Sequence, residues 1–311
     1  MTSRERVMAA IGHRQPDYVP LDLGSTPSSG ISAIAYNNLK KHLGITGGQT
    51  RIYDVVQQVA QPEMEILDRF GVDVLDIGRV FNEKDEDWHE VTLADGSIGH
   101  YPNWFHPEKQ PNGDYHVYDE EGTLIAKMPV GATFFDQTYF PYVEDYPDNY
   151  EDLDHQMGKV LWSALVHSPW DHGGDKDFYK TLREKTLKLR ESTDKALMIT
   201  CGCNLFEWGT FLRRIDNFLM DTYADEENVK ALVEQLMIRH MATLEKVCES
   251  VGDIVDILRF GDDLGMDTGM FMSREKYQTL FKPHHTKLNE YVHKHRGYDA
   301  DHPRVVGDVG K

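Results

Sequence analysis

The stretch "DIVDILRFGDDLG", residues 253–265, decides how the chain is read. Ile254, Val255, Ile257, Leu258 and Phe260 make an apolar run that ends at Gly261, and two acids, Asp262 and Asp263, follow at once. A short apolar run closed by glycine reads as a buried strand, here residues 253–263. At the carboxyl end of a parallel strand, two carboxylates would stand on the face where α/β proteins build their sites. There a carboxylate can take up a proton or orient a neighbouring group. The plainer alternative is that Asp263 caps the next turn and Asp262 is solvated, since aspartate suits such turns.

Outward from this stretch the same grammar repeats. "YVPLDLG" (18–24), "GVDVLDIG" (71–78) and "ALMITCG" (196–202) read as three further strands. Helical periodicity falls at 31–43, 51–70, 175–191, 205–222, 226–250 and 273–295. In 226–250, Val229, Leu232, Val233, Leu236, Met237, Met241, Leu244 and Val247 recur at steps of three and four. Strands separated by helices predict a parallel sheet with right-handed crossovers. Thr2 and Glu5 have capping-box spacing, so a short helix opens the chain. The alternation is interrupted at 81–147, where "HEVTLADGSIGHYP" and "DYHVYDEEGTLIAKMP" read as hairpins turning at Asp95-Gly96 and Glu121-Gly122. This β-rich insertion is read as a decoration of the core, a lid, substrate wall or oligomer contact, and not as a separate domain.

Composition narrows the function classes. Of 311 residues, 33 are Lys or Arg and 52 are Asp or Glu, a net charge of -19, which repels phosphate backbones and anionic lipid. Nucleic-acid and membrane partners are therefore set aside, and no apolar run is long enough to span a bilayer. Three cysteines and no signal-peptide pattern predict free thiols in a cytoplasmic protein. No GxxxxGK, GxSxG or HExxH motif is present.

Four pieces, in order, carry a resemblance: "TSRERVMAAIGHRQPDYVPLDLG" (2–24), "GVDVLDIG" (71–78), "FLRRIDNFLMDTYADEENVKALVEQL" (211–236) and "VGDIVDILRFGDDLGMDTGMFMSREKYQTLFKPHHTKL" (251–288). Over roughly residues 2–295 the chain resembles the uroporphyrinogen decarboxylase superfamily. That superfamily holds the decarboxylases of haem synthesis and the corrinoid-linked methyltransferases. The resemblance implies an α/β fold of the TIM type, a (β/α)8 barrel with its site at the carboxyl end of the strands. About four βα units of it are expected here, with the insertion after the second strand, as in the methyltransferase-like branch. It implies a barrel portion over 1–295 and an unrelated tail over 296–311.

Two departures from the family pattern follow. The decarboxylases carry paired arginines for the porphyrinogen carboxylates after the first strand. Here that place reads "DLGSTPSSGISAIAY" (22–36), without Arg or Lys. Buried anions need cationic partners, so porphyrinogen decarboxylation becomes the alternative and methyl transfer the leading expectation. The methyltransferases carry a zinc motif of His-x-Cys type beyond the helix that ends here near His295. The chain instead continues "HKHRGYDADHPRVVGDVGK" (293–311), so the family's front half is expected, with no cofactor of its own. Zinc and a methyl-cobamide, from which the methyl group is transferred, belong to the complete relatives, and the chain alone is expected to be inactive. A corrinoid protein is an expected partner. Four strands of an eight-stranded barrel leave raw edges, which favours self-association or a non-catalytic half-barrel subunit completed by another chain.

The candidate site residues are Asp262, Asp263 and Glu207 as catalytic carboxylates, and Arg79, Trp208 and Gly202 as substrate contacts. Arg79 is the cation nearest the end of the second strand, and Glu207-Trp208 pairs an acid with an aromatic after the third. Gly202 permits a close backbone approach. Around it, Cys201 and Cys203 form a C-x-C that reads as part of a soft metal site or as small buried residues at a tight turn. His284-His285 and His293/His295, with Asp301 and His302, suggest a loose metal-affine tail, but neither His pair has the i, i+4 spacing that shares a helix face.

Overall fold

The computed structural model describes residues 1–295, and the expected tail, with Asp301 and His302, lies outside them. The chain divides into two compact units: Met1–Tyr139 with Leu161–Leu197, and Phe140–Val160 with Met198 onward.

In the first unit the opening helix, Ser3–Ile11, has the expected capping box, Glu5 N donating to Thr2 Oγ1 (3.2 Å) and Thr2 N to Glu5 Oε2 (2.8 Å). Its buried Arg6 donates to Asp73 Oδ1 (2.6 Å) and to Asp17 Oδ1 (2.7 Å). Asp73 leads into the strand Val74–Asp76, buried at every position, and its carbonyl accepts from Ala196 N at 2.8 Å.

Two expectations fail in this unit, each for a local reason. Residues 18–24 form no strand. Pro20 has no N–H to give to a ladder, and Leu21 instead bonds to Asp73 through its own N and O. The helix expected over 51–70 shrinks to Met64–Arg69, preceded by strands Ile52–Asp54 and Val59–Ala60. Ile52, Tyr53, Val55 and Val56 favour extended backbone, Asp54 Oδ1 folds a turn onto Val56 N and Gln57 N, and Pro62 blocks a longer helix.

The insertion contains both hairpins, Trp88–Thr92 with Ile98–Pro102 and Tyr115–Tyr118 with Leu124–Met128. Gly96 and Gly122 both have φ of 82°, the left-handed conformation these turns require. Glu108–Lys109 and Asp136–Gln137 extend the second hairpin to four antiparallel strands. Tyr101, Phe105, Ile125 and Phe135 from the insertion pack into one core with Tyr36, Ile52, Val55 and Val56.

In the second unit, Met198, Ile199 and Thr200 of the strand Ala196–Gly202 pair in parallel with Ile257, Leu258 and Arg259 of the strand Ile257–Phe260. The long helix Glu226–Val251 buries the expected stripe from Val229 to Val247 except Met241, which is half-buried, with Leu205, Phe206, Phe218 and Phe281 in the same core as its first turns. The helix expected over 205–222 breaks into Phe206–Arg213 and Ile215–Ala224 at Arg214, whose φ is 66°. That expected over 273–295 breaks into Arg274–Leu280 and Lys282–His295, where Pro283 supplies no N–H to continue the first.

The class is mixed α/β. Among the described residues no sheet closes on itself, and the expected first strand of the barrel is missing. No described helix is long and apolar enough to cross a membrane.

Candidate functional site

In the first unit a buried carboxyl stands at a strand end. Val74–Asp76 passes directly into a 3-10 turn, Ile77–Val80. Gly78 is obligatory in that turn. A Cβ there would overlap the Ser168 carbonyl and stand 2.6 Å from Asp76 Oδ2. Ser168 Oγ closes the contact by donating to Gly78 O (2.8 Å). Gly78→Ala is therefore expected to destabilise this unit by about 1–3 kcal/mol through overpacking against backbone, read by urea denaturation.

Asp76 is 6% exposed, and its Oδ2 has no hydrogen-bond donor among the described residues. Burial pushes its carboxyl up to about 7, and the negative charges of Asp22 and Asp171 push the same way. The Gly78 amide and the Arg79 guanidinium pull it back only in part. Arg79 is half-buried and places Nη2 on the Pro62 carbonyl (3.0 Å).

Asp171 sits in the same neighbourhood. Its Oδ2 accepts from Asn82 Nδ2 (2.7 Å) and Trp104 Nε1 (3.2 Å), while the buried Oδ1 has no donor among the described residues. Asn82 Oδ1 meets His172 Nε2 at 2.6 Å, and His172 Nδ1 meets Asp175 at 2.7 Å. Asp22 receives the Ser25 N (3.2 Å) and Oγ (2.6 Å). A buried acceptor left without a donor costs about 1–3 kcal/mol, more if it is charged. Two such oxygens on neighbouring acids make this the first unit's candidate site.

The second unit holds the acids that the sequence singled out, and it uses them differently. Asp262 is fully satisfied. Its Oδ2 accepts from Leu205 N and Phe206 N (both 3.0 Å) and meets His285 Nε2 at 2.9 Å, and its Oδ1 accepts from Glu207 N (2.9 Å). It is the anion at the start of helix Phe206–Arg213, where unpaired N–H groups and the helix dipole favour negative charge. Asp263 is the exposed member of the pair, so the plainer sequence alternative had the two residues reversed.

Glu207, in the first turn of that helix, bonds to Asn204 Nδ2. Burial, then the charges of Asp262 and Asp263, push its carboxyl up to about 7. Trp208 is half-buried in the second unit's core, edge-on to Phe211 at 5.9 Å. Gly202 adopts φ of 67° and accepts from Gly261 N (2.9 Å), a role inside the fold.

Neither cysteine of the C-x-C is poised for chemistry. Both are buried, and burial pushes the Cys203 thiol far above the ordinary thiol range, so no thiolate forms there near neutrality. His240 is likewise held neutral, pushed down to about 4 by burial, with Nε2 on the Asn204 carbonyl (2.8 Å). His285 turns inward to Asp262, His284 faces Glu234 (4.0 Å), and His293 and His295 are exposed. Among the described residues, no three His, Cys, Asp or Glu side chains are placed to share a metal.

Of the sequence candidates, the second unit brings together Asp262, Glu207 and, through backbone, Gly202. Arg79 belongs to the first unit and stands beside Asp76, which is not among the sequence candidates. The signal for Asp76 was present. "VLDIG" repeats the pattern of "LRFGDD", an apolar strand delivering an acid beside a glycine. Asp171 carries no comparable signal.

No protein-family model matches the chain, and no curated protein matches it. A methyltransferase from Methanosarcina mazei is similar to it in structure with a TM-score of 0.46 at 12% identity, over 94% of this chain and 67% of that one. A likeness so distant carries no argument about chemistry.

Proposed function

We propose, against the expectation that the chain alone is inactive, that it is an enzyme related to the methyltransferase-like side of the uroporphyrinogen decarboxylase superfamily, with Asp76 as its general acid. On this reading the described strands are part of the family's barrel. The resemblance implies a methyl-cobamide as donor, whereas an acid at Asp76 suits the reverse step, in which the methyl group passes to a corrinoid carried by a partner protein. The single observation that carries the reading is the Asp76 carboxyl, buried at a strand end with one oxygen unsatisfied and poised near neutrality.

A group titrating near the working pH serves proton transfer best, since both its forms are populated. Asp76 gives its proton to the substrate oxygen or nitrogen that bears the methyl group. The bond from that heteroatom to methyl then breaks, and the electron pair stays with the heteroatom. The methyl group leaves for the acceptor nucleophile, and Asp76 is left as a carboxylate. The described residues offer no donor set for zinc, so no step here is drawn through a metal.

The test supplies the purified chain with O- and N-methylated compounds and a reduced corrinoid, and follows the corrinoid spectrum. With the O-methylated compounds, transfer is expected to fall as pH rises through about 7, as the acid form of Asp76 is lost. Asp76→Asn is expected to slow it by about 10²-fold or more. Conversion of uroporphyrinogen to coproporphyrinogen would install the decarboxylase alternative instead. Transfer at an unchanged rate in Asp76→Asn would remove Asp76 from the chemistry.

A further inference from the structure

Two carboxylates of the first unit each keep one buried oxygen without a donor among the described residues, Asp76 Oδ2 and Asp171 Oδ1. Asp76 is 6% exposed and the Asp171 side chain 4%. Oδ2 of Asp76 stands 2.6 Å from the place a Gly78 Cβ would take, beside the Ser168 carbonyl, which is a further acceptor and no donor. No surrounding cation hydrogen-bonds to either oxygen, and the Arg79 guanidinium offsets the Asp76 charge only in part. Arg79 gives Nη2 to a carbonyl rather than to either acid. His172 approaches Asp171 Oδ2 only to 3.9 Å and is held by Asn82 and Asp175. Asp22 adds a third negative charge, bonded to the uncharged Ser25.

What is missing is a group with positive charge and at least two hydrogens to donate. Among the described residues no three His, Cys, Asp or Glu side chains are placed to share a metal, so a divalent cation here would depend on water for most of its ligands. An ammonium group needs only acceptors and a compensating charge. We infer that this site binds a protonated primary or secondary amine, its N–H groups directed at Asp76 and Asp171.

The inference rests on Asp76 being the functional carboxyl, and it names the substrate class for that site. It also fits the proposed proton transfer. A neutral methylated amine taking the Asp76 proton becomes the same ammonium–carboxylate pair that a protonated amine forms directly. When the methyl group then leaves, the nitrogen keeps the proton and departs as a neutral amine.

Binding is testable without turnover, by calorimetry on the full chain. Dimethylammonium chloride is titrated in buffers of differing ionisation enthalpy. The ammonium pairs with the ionised carboxylate, so affinity is expected to be about tenfold higher at pH 8 than at pH 6, with about one proton released at pH 6. Asp76→Asn and Asp171→Asn are each expected to weaken binding at pH 8 by about tenfold or more. Methanol, a neutral methylated probe, is expected not to compete. Absence of binding at tens of millimolar, equal competition by methanol, displacement by Mg²⁺, or full affinity in Asp171→Asn would each overturn the inference. An amine-binding chain that transfers no methyl group would leave this inference standing and sink the proposed function, and methyl transfer from ethers alone would do the reverse.

Discussion

Asp262→Ala is expected to destabilise the second unit by about 3–5 kcal/mol, while Asp263→Ala costs less than about 0.5 kcal/mol, although the two residues are adjacent and chemically identical. The difference lies in their partners. Asp262 satisfies three amides at the start of helix Phe206–Arg213 and also holds His285, whose other ring nitrogen meets Tyr277 Oη at 3.3 Å. Alanine leaves those buried donors unmet at once. The cost then exceeds the roughly 1 kcal/mol of an ordinary cap. Asp263 is exposed, and its removal strands no buried group. Urea denaturation of the two variants tests the contrast, and equal losses would refute it. Asp262→Asn provides a second readout. It removes a neighbouring negative charge from Glu207, so the Glu207 carboxyl, now raised to about 7, should titrate at lower pH by NMR.

The same pair shows how far the sequence could be read. An apolar run closing on glycine was enough to place the strand Ile257–Phe260, and the same grammar placed Ala196–Gly202 and Val74–Asp76. Periodicity alone placed Glu226–Val251, and Asp-Gly and Glu-Gly placed the two hairpins of the insertion. Each of those signals is local. The failures came where a local signal was overruled by one or two residues: Pro20 in the expected first strand, Asp54 and Pro62 in the expected helix over 51–70, Arg214 and Pro283 in the long helices. The site was less legible because its chemistry depends on which donors reach an acid. Asp262 and Asp76 look alike in sequence, each an acid ending an apolar strand near a glycine. The donors that satisfy Asp262 come from 23 to 57 positions away, and no such donor among the described residues reaches Asp76 Oδ2. One acid is bonded into the fold at both oxygens and the other keeps an oxygen without a donor among the described residues, a distinction no spacing rule encodes.

Asp76→Asn is expected to make the chain more stable above neutral pH, by about 2–4 kcal/mol at pH 8, even as it removes the proposed proton donor. The Asp76 carboxyl sits at about 7 in the folded state, against 3.8 for an unperturbed aspartate. Between those values the folded chain holds a proton that the unfolded chain has released, so stability falls as pH rises. The loss begins near pH 4, grows through the interval, and levels off above about 7, where both states are ionised. A rise of that size bounds the effect at about 4 kcal/mol. Asparagine keeps the shape of the side chain and cannot ionise, so it escapes this loss. Near pH 4 the two proteins should differ little, and the gap should open steadily toward pH 8. The raised Glu207 carboxyl in the second unit contributes a slope of the same sign, but it is present in both proteins and cancels in the difference. Urea midpoints at pH 4, 6 and 8 measure the gap. A difference that stays constant across that range would mean that Asp76 titrates as an ordinary carboxylate, and the assignment of a poised acid would fall with it. A gap that opens as described would mean that the fold tolerates a buried, unsatisfied carboxylate at neutral pH, the kind of instability that is retained where a group is needed for binding or chemistry.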